Sequence, residues 1–198
     1  MALGALAFVE GSIIVSAMSS LPRDYWDAIK LLGRACWRYG RASGSRVVIV
    51  GGAAVSFYTQ GEILSGDFDL VADVGFEPYL LAEGFIREDR QGRLLRGYYH
   101  PSTPRLGFEI VSGALFDGLS DENRITAVSM SDGEEVLFPS VEDLIADRLG
   151  QYAASGNRDP GILAQARLMM ALAGEVDRDY LRRRIVEETG DPAQVGIA

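Results

Sequence analysis

Three acidic side chains and a pair of glycines are the residues of this sequence that could do chemistry together. Asp67 and Asp69 flank Phe68, and Glu109 stands between Phe108 and Ile110. Side chains alternate along a strand, so in each segment the acids take one face and the apolar residues the other. If the two segments are neighbours in register, three carboxylates share one patch of sheet, and at neutral pH their repulsion demands cations. A divalent metal resolves that conflict. Magnesium takes one or two carboxylates together with substrate phosphates, and a two-metal carboxylate site can activate a hydroxyl while steadying a phosphate leaving group. Gly51-Gly52 supplies a second half to this device. A strand that stops at two glycines and opens a helix lets a phosphate reach free N–H groups and the positive end of the helix dipole. Ser65 either adds a hydroxyl donor to the same phosphates or caps a turn with Gly66.

The elements that must position these residues follow from periodicity. Ile29, Leu32, Cys36 and Tyr39 recur at helical spacing after Pro22, which predicts a helix ending at Gly40. Arg46 to Val50 is a short β-branched run that reads as a buried strand ended by Gly51-Gly52, with a helix over Ala53 to Tyr58. Phe68 to Ala72 reads as the next strand, and a short helix follows around Pro78 to Ala82. Phe85–Arg87 and Leu94–Tyr99 form a hairpin through Gln91-Gly92. Gly107–Val111 is another strand, and Glu135–Phe138 reads as a last edge strand before Pro139.

After Pro139 the pattern turns helical. Ser140 opens a capping-box-like start, and Val141, Leu144, Ile145, Leu149 and Tyr152 form a stripe. Segments 160–173 and 177–188 repeat the helical signal. The expectation is a poorly structured or extended stretch over 1–19, a small mixed α/β layer over 20–139, and a helical segment over 140–198 packed on it. Arg148 falls on the apolar stripe, where a charge needs a partner; either the carboxylate cluster or a bound triphosphate would serve.

Composition excludes other chemistries. The chain has 198 residues, 47% apolar and 24% charged, which fits one globular domain with a substantial core. Its single cysteine, Cys36, excludes an intramolecular disulfide and a cysteine zinc cage, and its single histidine, His100, excludes paired-histidine metal sites. Carboxylates and arginines must therefore carry any catalysis. The net charge of −9 means that overall basicity cannot recruit nucleic acid. The first eighteen residues are apolar apart from Glu10, lack a basic start and are broken by Gly4 and Gly11, so they suit neither a signal peptide nor a membrane span. Translation starting near Met18 and a cytoplasmic location are expected.

Other clusters have plainer readings. Arg87, Arg90, Arg93 and Arg96, with Tyr98 and Tyr99, read as a solvated arm, with RNA contact as the rival. Arg182-Arg183-Arg184 reads as a solvated face within reach of Glu187 and Glu188, and Trp26 and Trp37 read as packing anchors.

Gly51-Gly52, a helix, and then Ser65-Gly66-Asp67-Phe68-Asp69 resemble the signature of the polymerase-beta-type nucleotidyltransferases, a glycine motif followed by a DxD strand and a third acid on a later strand. The run Gly51-Gly52-Ala53-Ala54-Val55-Ser56-Phe57-Tyr58 and the helical segment are similar to the minimal members found in toxin–antitoxin and abortive-infection systems. The resemblance spans about residues 45–160. It implies a nucleotidyltransferase-like palm with metal-binding, catalytic Asp67, Asp69 and Glu109, and Gly51, Gly52, Ser65 and Arg148 holding a nucleoside triphosphate. The cofactor it implies is magnesium, in a two-metal site, with manganese as the other candidate. The implied reaction moves a nucleoside monophosphate to an acceptor hydroxyl on a tRNA 3′ end, a partner toxin or antitoxin protein, or a small molecule. The rival is a catalytically inactive relative kept as a binding module or scaffold. Glu109 replaces the commoner aspartate, and Arg148 and Arg158-Asp159 stand where family members often carry lysines.

Overall fold

The computed structural model describes residues 8–9, 12–14, 21–88, 96–130 and 133–197. The described chain runs β1 (Phe8–Val9), β2 (Ser12–Ile14), α1 (Arg23–Ser43), β3 (Val48–Val50), α2 (Gly51–Tyr58), β4 (Asp67–Val71), α3 (Glu77–Ala82), β5 (Ile86–Arg87), β6 (Arg96–Tyr99), β7 (Gly107–Ser112), β8 (Thr126–Ser129), β9 (Glu135–Phe138), α4 (Val141–Ala154), α5 (Pro160–Leu172) and α6 (Arg178–Glu187). One mixed sheet takes the strands in the order β1-β2-β8-β9-β3-β4-β7-β6-β5. At its centre β3 runs antiparallel to β4, and β4 runs parallel to β7.

The sheet has two unequal faces because its strands alternate. Ile49, Phe68, Leu70 and Phe108 point to a side covered by α1 and α2, where Phe68 meets Tyr25 and Phe108 at ring-centroid distances of 4.7 and 5.1 Å. Phe57 of α2 stacks on Phe138 of β9 at 4.1 Å. The opposite face carries a smaller apolar cluster of Val48, Val50 and Val71, flanked by Val111, Leu115, Ile125 and Leu137. The acids of β4 and β7 share that second face with the valines.

The helical segment begins as its sequence signals: the Ser140 hydroxyl accepts from the Asp143 N–H. Helix α4 packs on α2, α5 and α6. A Cβ added at Gly150 of α4 would come within 2.7 Å of the Glu188 carbonyl oxygen, so glycine lets the end of α6 sit against the α4 backbone.

Several expectations need correction. Helix α1 runs through Gly40 and stops at Gly44, whose φ of 74° gives the left-handed cap. The strand Glu135–Phe138 is interior, because β8, a short segment with little hydrophobic signal, pairs along it on the side away from β3. Trp37 is 40% exposed, with the Arg41 guanidinium over its ring, and is no packing anchor; Trp26 does pack against the core. Arg184 is wholly buried. Its guanidinium pairs with Asp143 at 2.7 Å as well as with Glu187 and Glu188. Only the two glutamates were within sight of helical spacing.

In the arginine-rich hairpin, β5 pairs with β6 as expected, Arg87 pairs with Glu77, and Tyr98 is buried. Arg90 and Arg93 and the Gln91-Gly92 turn lie outside the described residues, as does most of 1–19. No described helix is long and apolar enough to cross a membrane.

Candidate active site

The glycine turn and the acidic strand are built against each other. Strand β3 ends at Val50, and Gly51 then takes a φ of +65°, which favours glycine. Val50 provides no side-chain cap to α2, so the first N–H groups of that helix have no capping side chain. A Cβ on Gly51 would run into Asp69 Oδ2, and one on Gly52 would lie 2.5 Å from Ser65 Oγ. Ser56 sets this up: its hydroxyl donates to the Gly52 carbonyl and accepts from the Ser65 N–H, both at 2.9 Å, folding the 59–66 loop back over the start of α2. Ser65 Oγ in turn bonds the Asp67 backbone, accepting from its N–H at 3.2 Å. The serine therefore does cap the turn, and it does so beside the glycines.

Strands β4 and β7 pair Asp67 with Gly107 and Asp69 with Glu109. All three acids consequently sit on one face of adjacent strands. Asp69 is half-buried, and its carboxyl is raised above the usual range, chiefly by burial and then by the charges of Glu109 and Asp67; Arg148 opposes this and Asp147 adds to it. Asp69 leans over Gly51 while Asp67 leans over Gly107, where an added Cβ would come 2.6 Å from Asp67 Oδ1. Among the described residues no group of three or more histidine, cysteine or acidic side chains is gathered into a formed ion site. The sheet register thus meets the condition set by the alternation and brings the three acids to one patch, without a formed ion site among the described residues.

A cleft of about 330 Å³ opens along this face, between β3, β4 and β7 on one side and the helical segment on the other. Gly51 and Asp69 line one part of it, and Val50, Val71 and Val111 form an apolar floor. Arg148 lines it as well, with its Nε and Nη2 donating to Asp147 Oδ2 at 3.0 and 2.7 Å. The partner of Arg148 is thus Asp147 on its own helix, while its charge also acts on Asp69. Asp67, Glu109, Gly52 and Ser65 are outside the lining of the cleft.

Sequence reasoning missed the far wall: Ser112, Ala114, Phe116, Asp117, Asp147, Gln151 and Glu188. Asp147 could have been found by its place next to Arg148. The loop residues gave no signal, since Phe116 and Asp117 take left-handed φ values of 46° and 54° that non-glycine residues rarely adopt. Strain of this kind costs on the order of 1–3 kcal/mol per residue and persists where surrounding contacts fix it.

No protein-family model and no curated protein matches the sequence. Among solved structures, the chain is similar to an antigenic nucleotidyltransferase-like protein from Paracoccidioides brasiliensis, with 17% identity, a TM-score of 0.54, and coverage of 83% of this chain and 86% of that one. The fold is nucleotidyltransferase-like. A second similar structure, JHP933 from Helicobacter pylori, aligns over 89% of this chain and 78% of its own at 14% identity and a TM-score of 0.48. Within the nucleotidyltransferase-like fold, the glycine turn, the acidic strand and the third acid are this chain's own residues, and their spatial order is the one described above.

Proposed function

We propose that this protein is a metal-dependent nucleotidyltransferase that moves a nucleoside monophosphate from a nucleoside triphosphate to an acceptor hydroxyl and releases pyrophosphate. The observation that carries the reading is the placement of Asp69, pressed over Gly51 at the start of α2 with Glu109 in register beside it. The donor set fits magnesium: three hard carboxylate oxygen donors on one sheet face, one of them with its charged form disfavoured by its neighbours. The backbone register sets Asp69 beside Glu109 and Asp67 two residues along the same face, and the ion would draw the carboxylates together.

In this reading Asp67, Asp69 and Glu109 hold the ions, and manganese would suit the same donors. Bound there, divalent metal supplies acidity to the acceptor hydroxyl and offsets charge on the leaving pyrophosphate. Gly51 and Gly52 offer backbone N–H groups to the β- and γ-phosphates, and the Ser65 hydroxyl stands beside them. In the same reading Glu109 also takes the acceptor proton. Arg148 meets the triphosphate by exchanging part of its hold on Asp147. The acceptor belongs to the same proposal as three classes: a tRNA 3′ end, a partner toxin or antitoxin protein, or a small molecule. We also propose that the protein acts in the cytoplasm.

The test is transfer of label. Incubation with α-labelled triphosphates, magnesium and total RNA or lysate should give a labelled acceptor, and Asp67→Ala and Asp69→Ala should each abolish it. Labelling that survives both substitutions rejects the enzyme reading. Absence of labelling with any triphosphate, together with an intact fold, supports a scaffold instead.

A further inference from the structure

We infer that Phe116 is the side chain on which the nucleobase of the triphosphate stacks, an inference that rests on the nucleotidyltransferase reading of the same cleft. With the phosphates at Gly51 and the start of α2, the remainder of the ligand has to extend along the cleft away from that end. Among the described lining residues Phe116 is the only aromatic one; it packs in part against the main core cluster, and Val50, Val71 and Val111 line the same cleft. An apolar floor with one aromatic side chain, beside the polar Asp117, Gln151 and Glu188, suits a flat ring system with polar edges.

The loop is built to hold that ring in place. Leu115 is planted in the apolar cluster on the open face of the sheet. The Ser112 hydroxyl donates to the Ala114 carbonyl at 2.8 Å and accepts from the Ala114 N–H at 3.0 Å, and the Leu119 N–H closes the turn onto the Phe116 carbonyl at 2.9 Å. Three successive residues, Phe116, Asp117 and Gly118, then take positive φ values of 46°, 54° and 83°. A chain with asparagine or glycine at the first two positions would make the same turn more easily. Core packing accounts for part of the half-buried Phe116 side chain, and the part that lines the cleft is what a base would meet.

The experiment separates base from phosphate. Calorimetric affinities are measured in the presence of magnesium for inorganic tripolyphosphate and for an ATP analogue with a methylene bridge between its α- and β-phosphorus atoms. The proteins are wild type, Phe116→Leu and Phe116→Tyr. Stacking predicts that Phe116→Leu loses about tenfold in affinity for the analogue, that Phe116→Tyr loses little, and that tripolyphosphate binds all three alike. The unchanged tripolyphosphate affinity also reports that the variants are folded. If the wild type binds the analogue and Phe116→Leu binds it equally well, or loses analogue and tripolyphosphate in the same proportion, the stacking role is overturned while the nucleotide reading stands. If the wild type binds neither ligand, the nucleotide reading falls and the stacking role with it.

Discussion

The Asp69 carboxylate occupies the space that a side chain on Gly51 would need. Under the proposed function that contact couples the turn that would meet phosphates to the strand that would meet metal, and it makes Gly51 sensitive for two reasons: its positive φ and the oxygen above it. Gly44 provides the contrast, since its φ is 74° with nothing within 4 Å of an added Cβ. Gly44→Ala should cost about 1–2 kcal/mol of stability in a denaturant titration and leave transfer activity intact. Gly51→Ala should cost at least as much and also lower kcat/KM for label transfer by about a hundredfold, because it displaces Asp69.

Asp69 should make the protein's stability depend on pH. Its carboxyl is raised in the folded state, first by burial and then by Glu109 and Asp67. The folded chain therefore holds that proton more tightly than the unfolded chain, and ionised Asp69 costs stability at pH values above its folded pKa. The cost fades as pH falls through the folded pKa toward the ordinary aspartate range. With chelator present, Asp69→Asn should raise the unfolding midpoint by roughly 2 °C at pH 8, and the gain should shrink as pH is lowered toward 4. A gain of constant size across that range would show that Asp69 keeps an ordinary carboxyl.

Divalent cation should relieve the same repulsion. Magnesium or manganese at about a hundred times its dissociation constant should stabilise the wild type by about 2.7 kcal/mol, read as a rise in the thermal midpoint. The rise should be absent in the Asp67→Asn/Asp69→Asn double variant. Equal rises in both proteins would place the ion elsewhere.

The buried ion pair between α4 and α6 should dominate the stability of the helical segment. Arg184 and Asp143 both have fully buried side chains, and Asp143 also accepts from Ser120, Ser140 and Tyr180. Removing one partner leaves an uncompensated charge, so Arg184→Met should cost about 3–5 kcal/mol in urea unfolding. Arg182→Met, on the exposed side of the same helix, should cost no more than about 1 kcal/mol, the range of an exposed interaction.

Much of the frame was legible in the sequence because it rests on local periodicity. The stripe of α1, the β-branched run of β3 and the acid–apolar alternation of β4 and β7 each specify an element and its faces without reference to the rest of the chain. What was not legible depends on partners distant in sequence. Glu135–Phe138 reads as an edge strand until Thr126–Ser129 is paired to it, and that segment is too short and polar to announce itself. Arg184 reads as solvated because Asp143 lies forty-one residues away along the chain. For the candidate site, the shared face of each acid followed from alternation, but the pairing of Asp69 with Glu109 was only a condition until the strands were placed side by side. The cleft's far wall was hidden because the backbone conformation of Phe116 and Asp117 is one that residue type argues against.

The most direct measurement is a crystal structure of the wild type with manganese and the methylene-bridged ATP analogue, phased on the manganese anomalous signal. The account predicts anomalous peaks about 2.1 Å from carboxylate oxygens of Asp67, Asp69 and Glu109, with the Asp67 and Asp69 side chains rotated together and the β- and γ-phosphates on the N–H groups of Gly51 and Gly52. Well-ordered analogue or ion bound away from β4 and β7, with Asp67 still over Gly107 and Asp69 still over Gly51, would contradict it.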